Sequence, residues 1–178
     1  MANALPPPML QSKYVIVVGI DYSAASERAL DEAFALGRSK YGVQLHVVNV
    51  RPPPSDPTAT DETSALPPWR YWAIELQEYV ARKVAAFRAT AGATPFQHLH
   101  TDQRMGEPVA ELTELAASVK ADLLVVGTHD WQKTANPAAD SVAEAVTRLA
   151  HCPVLVVHRD GSSLIEPSSV MSRTARSS

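Results

Sequence analysis

Three short stretches of the 178-residue chain gather the side chains that could do chemistry: Asp21-Tyr22-Ser23, Gly127-Thr128-His129-Asp130 and Asp140-Ser141. Each lies next to an apolar run, where a polar group is held at the edge of a core. Carboxylates beside an imidazole suit a metal ion, which makes His129, Asp130 and Asp140 a metal-bridging alternative. Ser23, His129 and Asp21 or Asp130 are the types of a hydrolytic triad. No Gly-x-Ser-x-Gly elbow occurs, however, and serines that follow strands usually cap helices. No catalytic residue is assigned. His98 and His100 alternate on one short apolar segment and share a face, a spacing compatible with chelation. Asp102 is their only near carboxylate, so a solvated face is the preferred reading. Cys152 is the single cysteine; it cannot form an intramolecular disulfide and reads as a buried, inert thiol.

The elements that must position these residues follow from the apolar pattern. Tyr14 to Ile20 (YVIVVGI) and Val43 to Val50 (VQLHVVNV) read as strands buried on both faces. Pro95 to Thr101 (PFQHLHT) is a weaker third strand, Ala121 to Gly127 (ADLLVVG) a fourth and Pro153 to His158 (PVLVVH) a fifth. Helical stripes separate them. Ser23 caps the first, which carries Leu30 and Phe34. The second carries Trp72, Leu76, Tyr79, Val80, Val84 and Phe87, and ends near Gly92. Pro108 occupies the first turn of the third, and Ser141 with Glu144 forms a capping box ahead of the fourth. Strand and helix in alternation imply right-handed crossovers and an α/β, Rossmann-like, mostly parallel sheet in the order 3-2-1-4-5, with helices on both faces.

Nine of the 14 prolines fall at Pro6 to Pro8 and between Pro52 and Pro68. The expected organisation is therefore a disordered arm (1–12), one domain (13–159) with a proline-rich insertion (51–71), and a disordered tail (160–178). One or two of Trp69, Tyr71 and Trp72, where that insertion meets the second helix, are expected to anchor the helix on the core, the alternative being a lid or partner patch. A net charge of -3 and a balanced composition give no reason to expect nucleic acid as a partner. No apolar run approaches the roughly 18 residues needed to span a bilayer, so a membrane is not expected either. The single cysteine and the lack of a secretory leader pattern suggest the cytoplasm.

In sheets of this kind ligands bind beyond the carboxyl ends of the strands where the strand order reverses, here between the first and fourth strands. The residues at that point carry a resemblance. GIDYSAASERAL, LHVVNV with His46, GEPVAEL, ADLLVVGTH and HCPVLVV together resemble the universal stress protein family over about Tyr14 to Arg159. The resemblance implies a dimeric stress-response regulator with further protein partners and an adenine-nucleotide pocket. Its base and ribose side would be formed by Gly19, Ile20, Asp21, Val47 and Val126. Dimerisation would run through Val154, Leu155, Val156 and Val157 of the last strand, the expected sheet edge.

ATP-binding members carry a Gly-x2-Gly-x9-Gly-Ser/Thr pattern. This chain reads Gly127, Asp130, Asp140 and Ser141, with Val142 next. Glycines there let backbone N–H groups approach phosphate oxygens. One aspartate about 5 Å from one phosphate charge opposes binding by about 3 kcal/mol at an effective dielectric of 20. A helix N-terminus returns only about 0.3–1 kcal/mol. Weak or absent ATP binding is expected, with AMP or another adenine ligand of few phosphates retained and hydrolysis at most weak. Asp140 can instead cap its own helix, and Asp21 can serve as a turn residue.

Overall fold

The computed structural model describes residues 13–40, 42–53, 68–94, 96–128, 142–158 and 163–166. In chain order the elements are β1 (Tyr14–Ile20), α1 (Ala24–Gly37), β2 (Val43–Arg51), α2 (Pro68–Ala91), β3 (Phe96–Met105), α3 (Pro108–Ser118), β4 (Leu123–Thr128), α4 (Val142–Leu149), β5 (Val154–His158) and β6 (Ser163–Glu166). They form one sheet in the order β3-β2-β1-β4-β5-β6. The first five strands run parallel, and β6 joins β5 antiparallel.

Two cores flank the sheet. Consecutive residues Val17 and Val18 both have no exposure, because each points into a different core. On one face Ile16, Val18, Leu45 and Val47 pack under Leu30, Phe34, Leu76 and Val80 of α1 and α2. On the other, Val17, Val48, Leu124 and Val126 pack under Val109, Leu112 and Val146 of α3 and α4. Helix starts are fixed by side chains: Ser23 Oγ accepts from the Ser26 N–H at 3.2 Å. Glu107 caps α3 by accepting from the Ala110 N–H at 2.9 Å, with Pro108 as the first helical residue. Asp122 sets the entry of β1, its carboxylate accepting the Val15 N–H and its own N–H donating to the Val15 carbonyl, both at 2.8 Å.

Two expectations change. The third strand does not stop at Thr101; pairing with β2 continues to Arg51↔Met105. Its second half, TDQRM, looks unlike a strand because an edge strand needs no apolar face to hold its ladder. The segment beyond residue 159 is not without structure either, because Ser163–Glu166 pairs with β5. The last parallel strand, Val154 to Val157, is therefore hydrogen-bonded on both sides and is not the sheet edge. The arm (1–12), residues 54–67 of the insertion and the Ser141 half of the capping box lie outside the described residues. No described helix is long and apolar enough to cross a membrane.

Candidate functional site

A cleft of about 210 Å³ opens at the carboxyl ends of β1 and β4, where the chain winds off to opposite sides. Gly19, Ile20 and Asp21 form its β1 side, with Val126 and Gly127 from β4. Val48 and Val50 of β2, Pro108 and Leu112 of α3, Val142 of α4 and Ser26 of α1 complete the wall. The surroundings are mostly apolar, with Asp21 and Ser26 as the polar side chains.

Local geometry fixes both. One Asp21 carboxylate oxygen accepts the Ser23 N–H at 2.9 Å, a turn that delivers the chain to the cap of α1. The Asp21 N–H donates to Ser26 Oγ at 3.3 Å, and that buried hydroxyl donates to the Ser23 carbonyl at 3.0 Å. Asp21 thus has the turn role and also borders the cleft. Tyr22, the next residue, sits at φ 63°, in the left-handed region. Its ring meets Tyr79 edge-on at 5.2 Å, and the Arg51 guanidinium lies 5.8 Å from it and 5.2 Å from the Trp72 ring. Arg51 also pairs with Glu75 at 2.6 Å. Burial, then the Glu27 and Asp31 carboxylates, push the Tyr79 hydroxyl up to about 12, so it stays protonated. Trp72 is the half-buried anchor of its aromatic cluster, whereas Trp69 and Tyr71 are exposed.

The two strand-end glycines have different tasks. A Cβ on Gly127 would stand 2.4 Å from the Ala25 carbonyl carbon and 2.5 Å from the Ser26 nitrogen. Gly127 is therefore required by the close passage of α1, independent of any phosphate. A Cβ on Gly19 would lie 3.2 Å from both methyls of Leu112, so this glycine keeps the cleft floor low.

Six of the ten residues expected at the site line the cleft: Gly19, Ile20, Asp21, Val126, Gly127 and Val142. Val47 does not. It is fully buried in the α1/α2 core, and its neighbour Val48 faces the cleft, because side chains alternate across a strand. Gln44 and His46 share the phase of Val48, and that alternation could have found it. Leu112 and Pro108 were legible as helix residues but not as cleft walls. Asp130, Asp140, Ser141 and the metal alternative with His129 lie outside the described residues. Among the described residues no group of three or more His, Cys, Asp or Glu side chains could hold a metal ion.

A second polar cluster lies on β2 and β3. The buried His46 ring contacts Asp102 Oδ2 at 3.0 Å and Gln44 Nε2 at 2.8 Å. His100 stacks on it, 4.5 Å between centroids and 16° between planes, while His98 stands 6.4 Å from His100. His98 and His100 are both exposed, as a solvated face requires, and His100 in addition stacks on the buried His46. Desolvation, then His46, lowers its pKa, and Asp102 opposes the shift. Cys152 is buried, and desolvation pushes its thiol up, as an unreactive cysteine requires.

The sheet order and the helices on both faces define a doubly wound α/β domain with a cleft at its switch point. The sequence profile of the universal stress protein family matches residues 15–158, and the chain belongs to that family. It is 44% identical over 61 residues to a universal stress protein of Methanocaldococcus jannaschii, covering 34% of this chain and 36% of that one. A universal stress protein of Mycobacterium tuberculosis is 27% identical over 160 residues, 88% of this chain. The chain spans about half that relative's length, 52%. Among solved structures, a universal stress protein in complex with cAMP matches with a TM-score of 0.59 and 29% identity, covering 83% of this chain and 98% of that one.

Proposed function

We propose that the chain is a stress-response binding protein whose cleft takes a small adenine nucleotide with one phosphate, such as AMP or cAMP, and takes ATP weakly. The observation that carries this is the cleft itself: apolar walls from Val48, Leu112 and Val126 beside one carboxylate at the strand end. Apolar side chains suit the two faces of a flat base, and the Asp21 carboxylate suits a ribose hydroxyl or an amino group better than a phosphate. The volume, about 210 Å³, lies below the roughly 300–1,000 Å³ of drug-sized pockets. A nucleoside with little attached matches that size. The 29%-identical neighbour in complex with cAMP supports the ligand class. The aspartates at positions 130 and 140, where ATP-binding relatives carry glycine, supply the argument against a triphosphate.

Calorimetric titration with AMP, cAMP and ATP in the presence of a chelator tests the reading. AMP or cAMP should bind at least tenfold more tightly than ATP. Low-micromolar ATP binding without any divalent cation would overturn the discrimination. Recovery of ATP binding on adding magnesium would instead make Asp130 and Asp140 cation ligands and favour a metal-assisted hydrolase. Cytoplasmic residence and regulation through partner proteins belong to the same proposal.

A further inference from the structure

The polar cluster on β2 and β3 is arranged around one proton. The buried His46 ring meets a side chain at each nitrogen: Gln44 Nε2 lies 2.8 Å from its Nε2, and Asp102 Oδ2 lies 3.0 Å from its Nδ1. An amide nitrogen only donates, so Gln44 as placed requires a bare Nε2 on the ring. The ring proton is then on Nδ1, donated to the Asp102 carboxylate, and His46 is neutral. Gln44 is itself buried, and its Oε1 has no hydrogen-bond partner among the described residues. Turning that amide over brings Oε1 to the ring and demands an N–H at Nε2. With the Nδ1–H still held by Asp102, the ring is then an imidazolium. Either orientation leaves one end of the amide unpaired, so the surroundings do not choose between them. The proton on His46 does.

We propose that Gln44, His46, His100 and Asp102 form a proton switch beside the cleft: His46 takes up one proton as the pH falls, the Gln44 amide turns over with it, and the added charge favours an anionic ligand. The stack limits the uptake to one. His100 lies nearly parallel to His46, with 16° between planes and 4.5 Å between centroids, and two imidazoliums so placed repel. His46 is the ring with a carboxylate at Nδ1. On β3, His98 stands 6.4 Å from His100, and Arg104 is paired with Glu111 of α3 at 3.0 Å. Lys13, just ahead of β1, disfavours a charge on His100. The neighbour of His46 on β1 is Val17, and the buried residues of α3 are apolar. Register makes the link to the cleft. Val48 shares the face of His46, pairs with Asp102 and lines the cleft, so the proton arrives behind the cleft wall. The ligand half of the proposal rests on the nucleotide reading above.

Nitrogen NMR of the histidine rings in the full chain, titrated from about pH 8 to about pH 5, tests the switch. At the alkaline end His46 should carry its proton on Nδ1. On acidification it should become an imidazolium, with the Gln44 side-chain amide resonances moving at the same midpoint and His100 charging only afterwards. In His46→Gln the His100 midpoint should rise. A neutral His46 with its proton on Nε2, a His46 still neutral at the acid end, or a His100 that charges first each overturns the proposal. Calorimetry with cAMP, whose single phosphate charge is constant over that range, reads the output. The gain in affinity on acidification should be about threefold larger in the wild-type chain than in His46→Gln. Equal pH dependence in both removes the link to the cleft. A failure of cAMP to bind at any pH counts against the nucleotide reading, and the ring states then decide the switch alone.

Discussion

Gly19 and Gly127 stand at the ends of neighbouring strands, β1 and β4, yet the space around them differs in kind. At Gly127 the first turn of α1 passes so closely that its backbone occupies the place of a Cβ, at 2.4 Å. At Gly19 the nearest atoms are the two methyls of Leu112, at 3.2 Å, and the first turns of α3 and α4 leave a cleft above. One glycine closes the α1 face of the sheet and the other keeps the opposite face open. A glycine at a strand end is thus not by itself a sign of a bound phosphate. What its missing side chain would have struck decides its role.

The sharpest way to break this contrast is Gly127→Val. Backbone cannot move aside as a side chain can, so the substitution should destabilise by about 3 kcal/mol, the upper end for overpacking. For a chain of this size that is a fall of roughly 6–12 °C in Tm, read by thermal denaturation. Unchanged stability would mean that α1 does not approach β4 as described.

Next in size is the pair Val47→Ala and Val48→Ala. Each removes two carbons from a residue with no exposure and should lower stability by about 2 kcal/mol, allowing for a cavity. Only Val48→Ala should also weaken AMP binding, by about threefold to tenfold in calorimetry, because Val48 lines the cleft and Val47 faces the other core. Equal effects on affinity would erase the distinction between the two faces.

Gly19→Ala should be milder for the fold, within about 1.5 kcal/mol, since the Leu112 methyls can shift by a few tenths of an ångström. They shift towards the cleft, so AMP affinity should fall about tenfold. Tighter binding would show that the floor is too low for the base.

The smallest expected effect lies away from both glycines, at His100. Its folded pKa is lowered from 6.5 by desolvation and then by His46, so the unfolded chain takes up the proton more readily. Stability should therefore decline as pH falls through about 6.5 and level off below the folded pKa. His100→Gln should flatten the denaturation midpoint between pH 7.5 and 5. An unaltered pH slope would remove the stacked pair as its source.

The alternation of elements and the order of the five parallel strands were legible because every one of them but β3 is a compact apolar run between helical stripes. The cleft was legible in outline through Asp21 and Gly127, since polar and small residues follow those runs directly. Three features were hidden. β6 has only Leu164 and Ile165 as apolar residues among polar neighbours, so pairing rather than composition defines it. Val47 and Val48 are both buried, so only Gln44 and His46, earlier in the strand, mark which of the two shares the cleft face. Gly127 announced a close approach, but a sequence does not say whether helix or ligand is the approaching body.

Tyr22 carries a last consequence. A tyrosine at φ 63° gives up backbone energy that most residues would not, and its ring is clasped by Tyr79 of α2 and by Arg51, which also lies over Trp72. The residue beside it, Asp21, borders the cleft on the other side of the sheet. That single peptide link joins the edge of the cleft to an aromatic cluster on the opposite face, so one turn fixes the position of both.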